Sequence, residues 1–111
     1  MADAAQLYDE ADQLKAEGDM EGALSKLTEA VALDEGYALA YSALAVVCQK
    51  LGKHDEAIGH AQKVCELEPD DPFSFTAMSV TYQRAYAGTN EMKYIQLAEE
   101  AMEQSRILSQ R

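Results

Sequence analysis

Proline is scarce in this chain. Pro69 and Pro72 are the two in 111 residues, so little interrupts a sequence dominated by Ala, Leu, Glu, Gln, Lys and Met, and helix is favoured nearly throughout. Basic residues are scarce too: nine Lys and Arg stand against 20 Asp and Glu, a net charge of −11. Phosphate binding needs clustered Lys and Arg, so nucleic acid is excluded as a partner. No apolar stretch approaches the roughly 20 residues of a membrane span. The start Met1-Ala2-Asp3-Ala4 has neither the basic nor the apolar region of a signal peptide. With no linker and no low-complexity run, one all-helical domain of 12.2 kDa over residues 1–111 is expected. Met1 and the missing linker point to a complete small protein, and the compartment expected is cytoplasmic.

Catalytic patterns are lacking as well. Glycines stand singly at turns, apart from Gly59 in a helix, so no glycine-rich loop can cradle a phosphate. His54 and His60 are six apart and point to different faces of a helix, and the His60–Cys65 spacing of five does not suit a metal either. His54 is read as packing at an inter-helix turn and His60 as facing solvent, a ligand or acid–base role being the alternative. The chain is therefore expected to be a non-enzyme without cofactor or metal.

What the chain does have is self-similarity. A shift of 34 residues lays Gly18 on Gly52, Ala23 on Ala57, Leu24 on Ile58 and Leu33 on Leu67. The next shift lays Tyr41 on Phe75, Leu44 on Met78, Val46 on Val80 and Gln49 on Gln83. A period of this length built from two amphipathic stretches is a helix–turn–helix repeat, whose units bury their apolar faces by stacking on neighbours. Tyr41, Leu44, Ala45, Cys48, Ala57, Ala61, Val64 and Pro69, with the turn Leu51-Gly52-Lys53, fit one repeat pattern over 38–71. Leu7, Ala11, Leu14, Ala23, Leu27 and Ala30 fit it over 4–37, with departures at Glu10 and Glu35. Phe75, Met78, Ser79 and Tyr82 open a third repeat, 72–108, in which Tyr94, Ala98 and Ala101 take the second-helix positions. In these residues the chain resembles the tetratricopeptide repeat (TPR) family over nearly its whole length. The resemblance implies an all-α, right-handed solenoid of three antiparallel helix pairs, and a binding or scaffolding surface rather than a particular chemistry. It also places Cys48 and Cys65 at ordinarily buried positions, which makes them reduced core cysteines, with a disulfide or redox role as the alternative.

Local signals place helices at about 3–17, 20–34, 37–51, 54–68, 72–87 and 90–109. Asp71-Pro72 is a helix start, and Gly88 followed by Asn90 reads as a stop and then a fresh cap. The third turn, 85–90, is read as three residues longer than its counterparts, exposing Tyr86 either to cover the base of the last pair or to touch a partner beside Tyr82 and Arg84. Ala23, Ala30, Ala45, Ala57 and Ser79 mark close helix approaches, with Leu27, Tyr41, Phe75 and Tyr82 filling the spaces between.

The resemblance also implies which side chains line a concave groove: Tyr8, Asp9 and Asp12 from the first repeat, then Leu39, Val46, Gln49 and Lys50, then Phe73, Val80, Gln83 and Arg84. This is an apolar floor with an acidic, aromatic end and a polar to basic rim, suited to a protein or peptide partner with basic and apolar residues. Charge is graded along the chain, with ten acidic and two basic side chains in 1–37, six and three in 38–71, and four and four in 72–111. Family members that clamp the acidic tails of Hsp70 and Hsp90 do so with Lys, Asn and Arg. The matching positions here are Tyr8, Asp12, Ala43, Phe73 and Ala77, so no such clamp is expected. The function expected is a peptide-binding adaptor or assembly chaperone. The alternative is a self-associating scaffold, a homo-oligomer held by Met92, Ile95 and Met102 on an uncapped last helix.

Overall fold

The computed structural model describes residues 2–111. Six helices follow one another: α1 Ala4–Ala16, α2 Met20–Leu33, α3 Ala38–Lys50, α4 His54–Leu67, α5 Pro72–Thr89 and α6 Lys93–Ser109. Among the described residues there is no strand. Carboxylates start three of the helices. The Gln6 N–H donates to Asp3 Oδ1 at 2.8 Å while Gln6 Oε1 accepts from the Asp3 N–H at 2.9 Å, a reciprocal cap on α1. Asp19 accepts from Gly22 N–H at 2.8 Å, and Asp71 from Phe73 N–H at 2.9 Å with Pro72 opening α5. The first two pairs turn on Gly18 and Gly52, with φ of +88° and +78°, a backbone region that side chains with a Cβ rarely enter.

Each helix packs antiparallel on its pair mate, and α2 meets α3 as α4 meets α5, so the pairs stack in chain order. The radius of gyration is 14.2 Å, against about 13 Å for a compact globule of this length; the stack is mildly extended. Two apolar clusters fill it. Leu7, Ala11, Ala23, Leu27, Leu44 and Val47 are buried between the first two pairs, and Tyr82, Ala85, Tyr94 and Ala98 within the third. The small residues lie where helices come closest: Ala23, Ala30, Ala57 and Ser79 have no exposed surface, and Ala45 almost none. Leu27 and Tyr82 are buried as fillers, whereas Tyr41 and Phe75 are half-buried. In the third pair a hydroxyl joins the two helices where Ser79 Oγ donates to the Ala98 carbonyl at 2.9 Å.

Two expectations fail at the third pair. Residues 85–90 are not a long turn: α5 continues as helix through Gly88 to Thr89. Asn90 then ends it in the left-handed conformation, with φ of 61° and its N–H bonded to the Tyr86 carbonyl at 2.7 Å. Asn90 therefore closes α5 instead of capping α6, which starts at Lys93 without a side-chain cap. The three extra residues are spent as helix because Tyr86 is half-buried against the Tyr82–Tyr94 cluster, and burying an aromatic outweighs the roughly 1 kcal/mol that a helical glycine costs. Nor do the glycines all sit at turns: Gly22 and Gly88, like Gly59, are helical. At Gly88 the absence of a side chain admits the His54 ring, whose Nε2 lies where a Cβ would stand.

Candidate functional site

The first helices of the second and third pairs carry an apolar row that the fold leaves uncovered. Leu39 is 55% exposed, Val46 39%, Phe73 79% and Val80 42%. Leu39 and Phe73 stand one repeat apart at the beginnings of α3 and α5, and Val46 and Val80 stand two turns further along. Val46, Gln49 and Val80 are brought together in a largely apolar cavity of about 290 Å³ between α3 and α5. Its other walls include Ala61 and Val64 from α4 and Thr81 from α5, none of which was foreseen as site-forming. Inward-facing positions of first helices are those the family resemblance implies. The wall from α4 depends on how far apart α3 and α5 sit.

Tyr8 and Asp12 line a second hollow with Lys15 and Ala43, at the junction of the first two pairs. Tyr8 packs on Tyr37 with ring centroids 5.7 Å apart. Burial first, then the neighbouring Asp12, Tyr37 and Asp9, push the Tyr8 hydroxyl above its usual range. Among the described residues neither Asp9 nor Asp12 forms an ion pair with a Lys, Arg or His, and neither Lys50 nor Arg84 pairs with a carboxylate. The acidic end and the cations of the rim thus take no part in the ion pairs of the described residues. Asp9, Lys50 and Arg84 are exposed at the surface, as is Gln83, whose side chain donates to Ser79 Oγ at 3.2 Å.

Of the residues placed on the last helix, Ile95 and Met102 share a groove with Gln83, Tyr86, Glu99 and Arg106 at the open end of the stack. Met92, 67% exposed, stands just before α6, outside the groove's lining. Leu108, near the chain end, turns inward and is buried.

Cys48 and Cys65 are free and buried. Burial, then the neighbouring Glu66, pushes Cys65 up to about 11, and burial with Glu56 raises Cys48, so both remain thiols at neutral pH. Among the described residues no three His, Cys, Asp or Glu converge as metal ligands, and no helix is long and apolar enough to cross a membrane. His54 packs at the α3–α4 turn, its Nδ1 buried without a hydrogen-bond partner. His60 does not face solvent: it is half-buried against Tyr41, ring centroids 6.1 Å apart.

Burial lowers the His60 pKa below its ordinary 6.5, opposed in part by Glu56. The folded chain therefore takes up this proton less readily than the unfolded one, and the associated stability, present above pH 6.5, is lost as pH falls through the folded value. Thermal unfolding of wild type and His60→Gln at about pH 7.5 and 5.5 checks this. Wild type should lose melting temperature relative to the variant at the lower pH; equal shifts in the two proteins would exclude the effect.

Six helices stacked as three antiparallel pairs, with an uncovered row on the first helices, define an all-α helical-repeat interaction module. The sequence model described as tetratricopeptide repeat matches residues 14–73, more than half of the chain, and the chain belongs to that family. None of the curated proteins searched matches it in sequence. Among solved structures it is similar to MamA, with a TM-score of 0.82 and 22% identity over 97% of this chain and 59% of that one. It is also similar to the second TPR of Spaghetti (RPAP3) bound to the HSP90 peptide SRMEEVD, with a TM-score of 0.76 and 22% identity over 95% and 91%. A chain of the CopN–Scc3 complex gives a TM-score of 0.79 at 17% identity, over 97% and 59%. The chain thus spans less than two thirds of the MamA chain, and at these identities the likeness is one of fold.

Proposed function

We propose that this chain is a non-catalytic adaptor or assembly chaperone that holds a partner segment along the first-helix face, in the cytoplasm. The observation that carries the reading is the exposure of Leu39, Val46, Phe73 and Val80 in one row leading into the cavity between α3 and α5. An uncovered apolar row with a polar rim is the usual mark of a partner surface. Unpaired Asp9 and Asp12 beside Tyr8 select for a basic residue at one end of the segment. That preference is opposite to the acidic SRMEEVD peptide carried by the Spaghetti repeat. Residues 1–37, eight charges to the negative, would repel such a peptide. Two free buried thiols accord with a reducing compartment.

Affinity purification from the source cell with wild type and with Phe73→Ala plus Val80→Asp tests the reading. A large aromatic anchor is worth about 2 kcal/mol or more, so the double variant should bind its partners at least about thirtyfold more weakly. Recovery of the same partners by both proteins would remove the first-helix face as the site.

A further inference from the structure

The stack contains a template for what its open end can hold. Within the chain, α5 covers the surface of α3 and α4. Gln62 donates to the Tyr82 hydroxyl at 3.3 Å, and the Cys65 thiol donates to the Ser74 carbonyl at 3.5 Å and meets Met78 Sδ at 3.8 Å. Ile58 packs into the Tyr82 cluster. Thirty-seven residues on, where the third pair's extra helical residues have shifted the register, Ile58, Gln62 and Cys65 become Ile95, Glu99 and Met102. These line the end groove, about 470 Å³ in volume, and among the described residues none covers them as α5 covers their counterparts. Cys65 is 8% exposed beneath α5, while Met102 is 42% exposed.

We infer that the end groove is a second binding site, which meets the first-helix face at Gln83 and takes an amphipathic α-helix of a partner protein. The occupant's chemistry can be read from α5 and from the substitutions in the groove. α5 presents Ser74, Met78 and Tyr82, one turn apart, so the partner presents a small residue, an unbranched apolar one and a third side chain in that order. Opposite the third stands Glu99 where the inner socket has Gln62. A carboxylate accepts hydrogen bonds and carries charge, so the third residue is a Lys, Arg or Tyr that donates. Arg106 takes the place of Pro69, at the end where α5 begins with Asp71. The partner's first turn is accordingly acidic, which also suits the positive end of its helix dipole. Arg106 pairs with Glu103 on its own helix and has further guanidinium donors.

A second copy of this chain joined head to tail fits poorly. Its α1 would offer Gln6, Glu10 and Leu14 at the positions of Ser74, Met78 and Tyr82. Glu10 is held by Lys26 at 3.3 Å, and placing it on Met102 would bury a carboxylate on an apolar floor.

The test uses a labelled peptide of residues 70–90, the chain's own α5 sequence, titrated into the full chain. Saturable binding is expected. Met102→Glu should weaken it at least about tenfold while Phe73→Ala leaves it within about twofold, since one variant lies at the groove's centre and the other outside it. A Tyr82→Lys peptide should bind at least as well as the parent and a Tyr82→Glu peptide about tenfold worse, and Glu99→Gln in the chain should level that difference. Circular dichroism of each variant confirms retained helix. No saturation by about 1 mM peptide, or equal binding by Met102→Glu, overturns the inference. So does light scattering that finds a dimer at about 100 µM which Met102→Glu dissolves, because the occupant would then be a second copy.

Discussion

Leu44→Ala should cost this protein about 2–5 kcal/mol, the range for removing a buried leucine and leaving a cavity. Leu44 is 1% exposed, in the cluster where α3 meets the first pair. A chain of this size has roughly 5–15 kcal/mol in total, so the loss consumes a large share of it. The location adds to the effect. In a stack each pair contacts its neighbours alone, and the middle pair is the neighbour of both others, so damage there loosens two interfaces. A fall of about 10 °C or more in the melting temperature is expected, with Val46→Ala, two residues along and exposed, close to wild type as the control. Equal melting temperatures for the two variants would contradict this account of the core.

The second large effect comes from adding volume. Ala57 has no exposed surface in α4, at a position the repeat reserves for a small side chain. A leucine there must push a neighbouring helix away or take a strained rotamer, at a cost of about 1–3 kcal/mol. Ala32→Leu, at an exposed position of α2, adds the same atoms without a neighbour to displace. Urea unfolding should therefore give a lower midpoint for Ala57→Leu and an unchanged one for Ala32→Leu. An unchanged midpoint for Ala57→Leu would mean that the helices at that point are not in close contact.

Helices, pair order and the small-residue contacts were all legible in the sequence, because 34-residue self-similarity, acidic caps and alanine placement agree with one another. The end of α5 was not. Gly88 and Asn90 look like a broken turn when read locally, but Tyr86 finds cover on the third pair and Thr89 Oγ1 bonds to the Ala85 carbonyl at 2.7 Å, which carries the helix on. His60 escaped for a similar reason: nothing in α4's own pattern reveals that Tyr41 of α3 leans over it. On the first-helix face the apolar row followed from the family resemblance, while Ala61, Val64 and Thr81 enter through inter-helix distance. At the open end one wall, Ile95 and Met102, was visible as a stripe. The facing wall included Tyr86, which counts as loop until the helix is seen to continue.

The stacking order turns the charge gradient into an oriented field. Eight surplus negative charges lie in residues 1–37, three in residues 38–71 and none in the remainder, and stacking places the first and last of these segments at opposite ends. The molecule is therefore an electric dipole with its negative pole at α1 and α2. A cationic partner experiences a torque as well as an attraction, and is turned toward the α1 end before any side chain touches. At physiological ionic strength the screening length is about 8 Å, so this pre-alignment acts over the last approach. It would appear as an association rate that falls steeply with added salt while dissociation changes little.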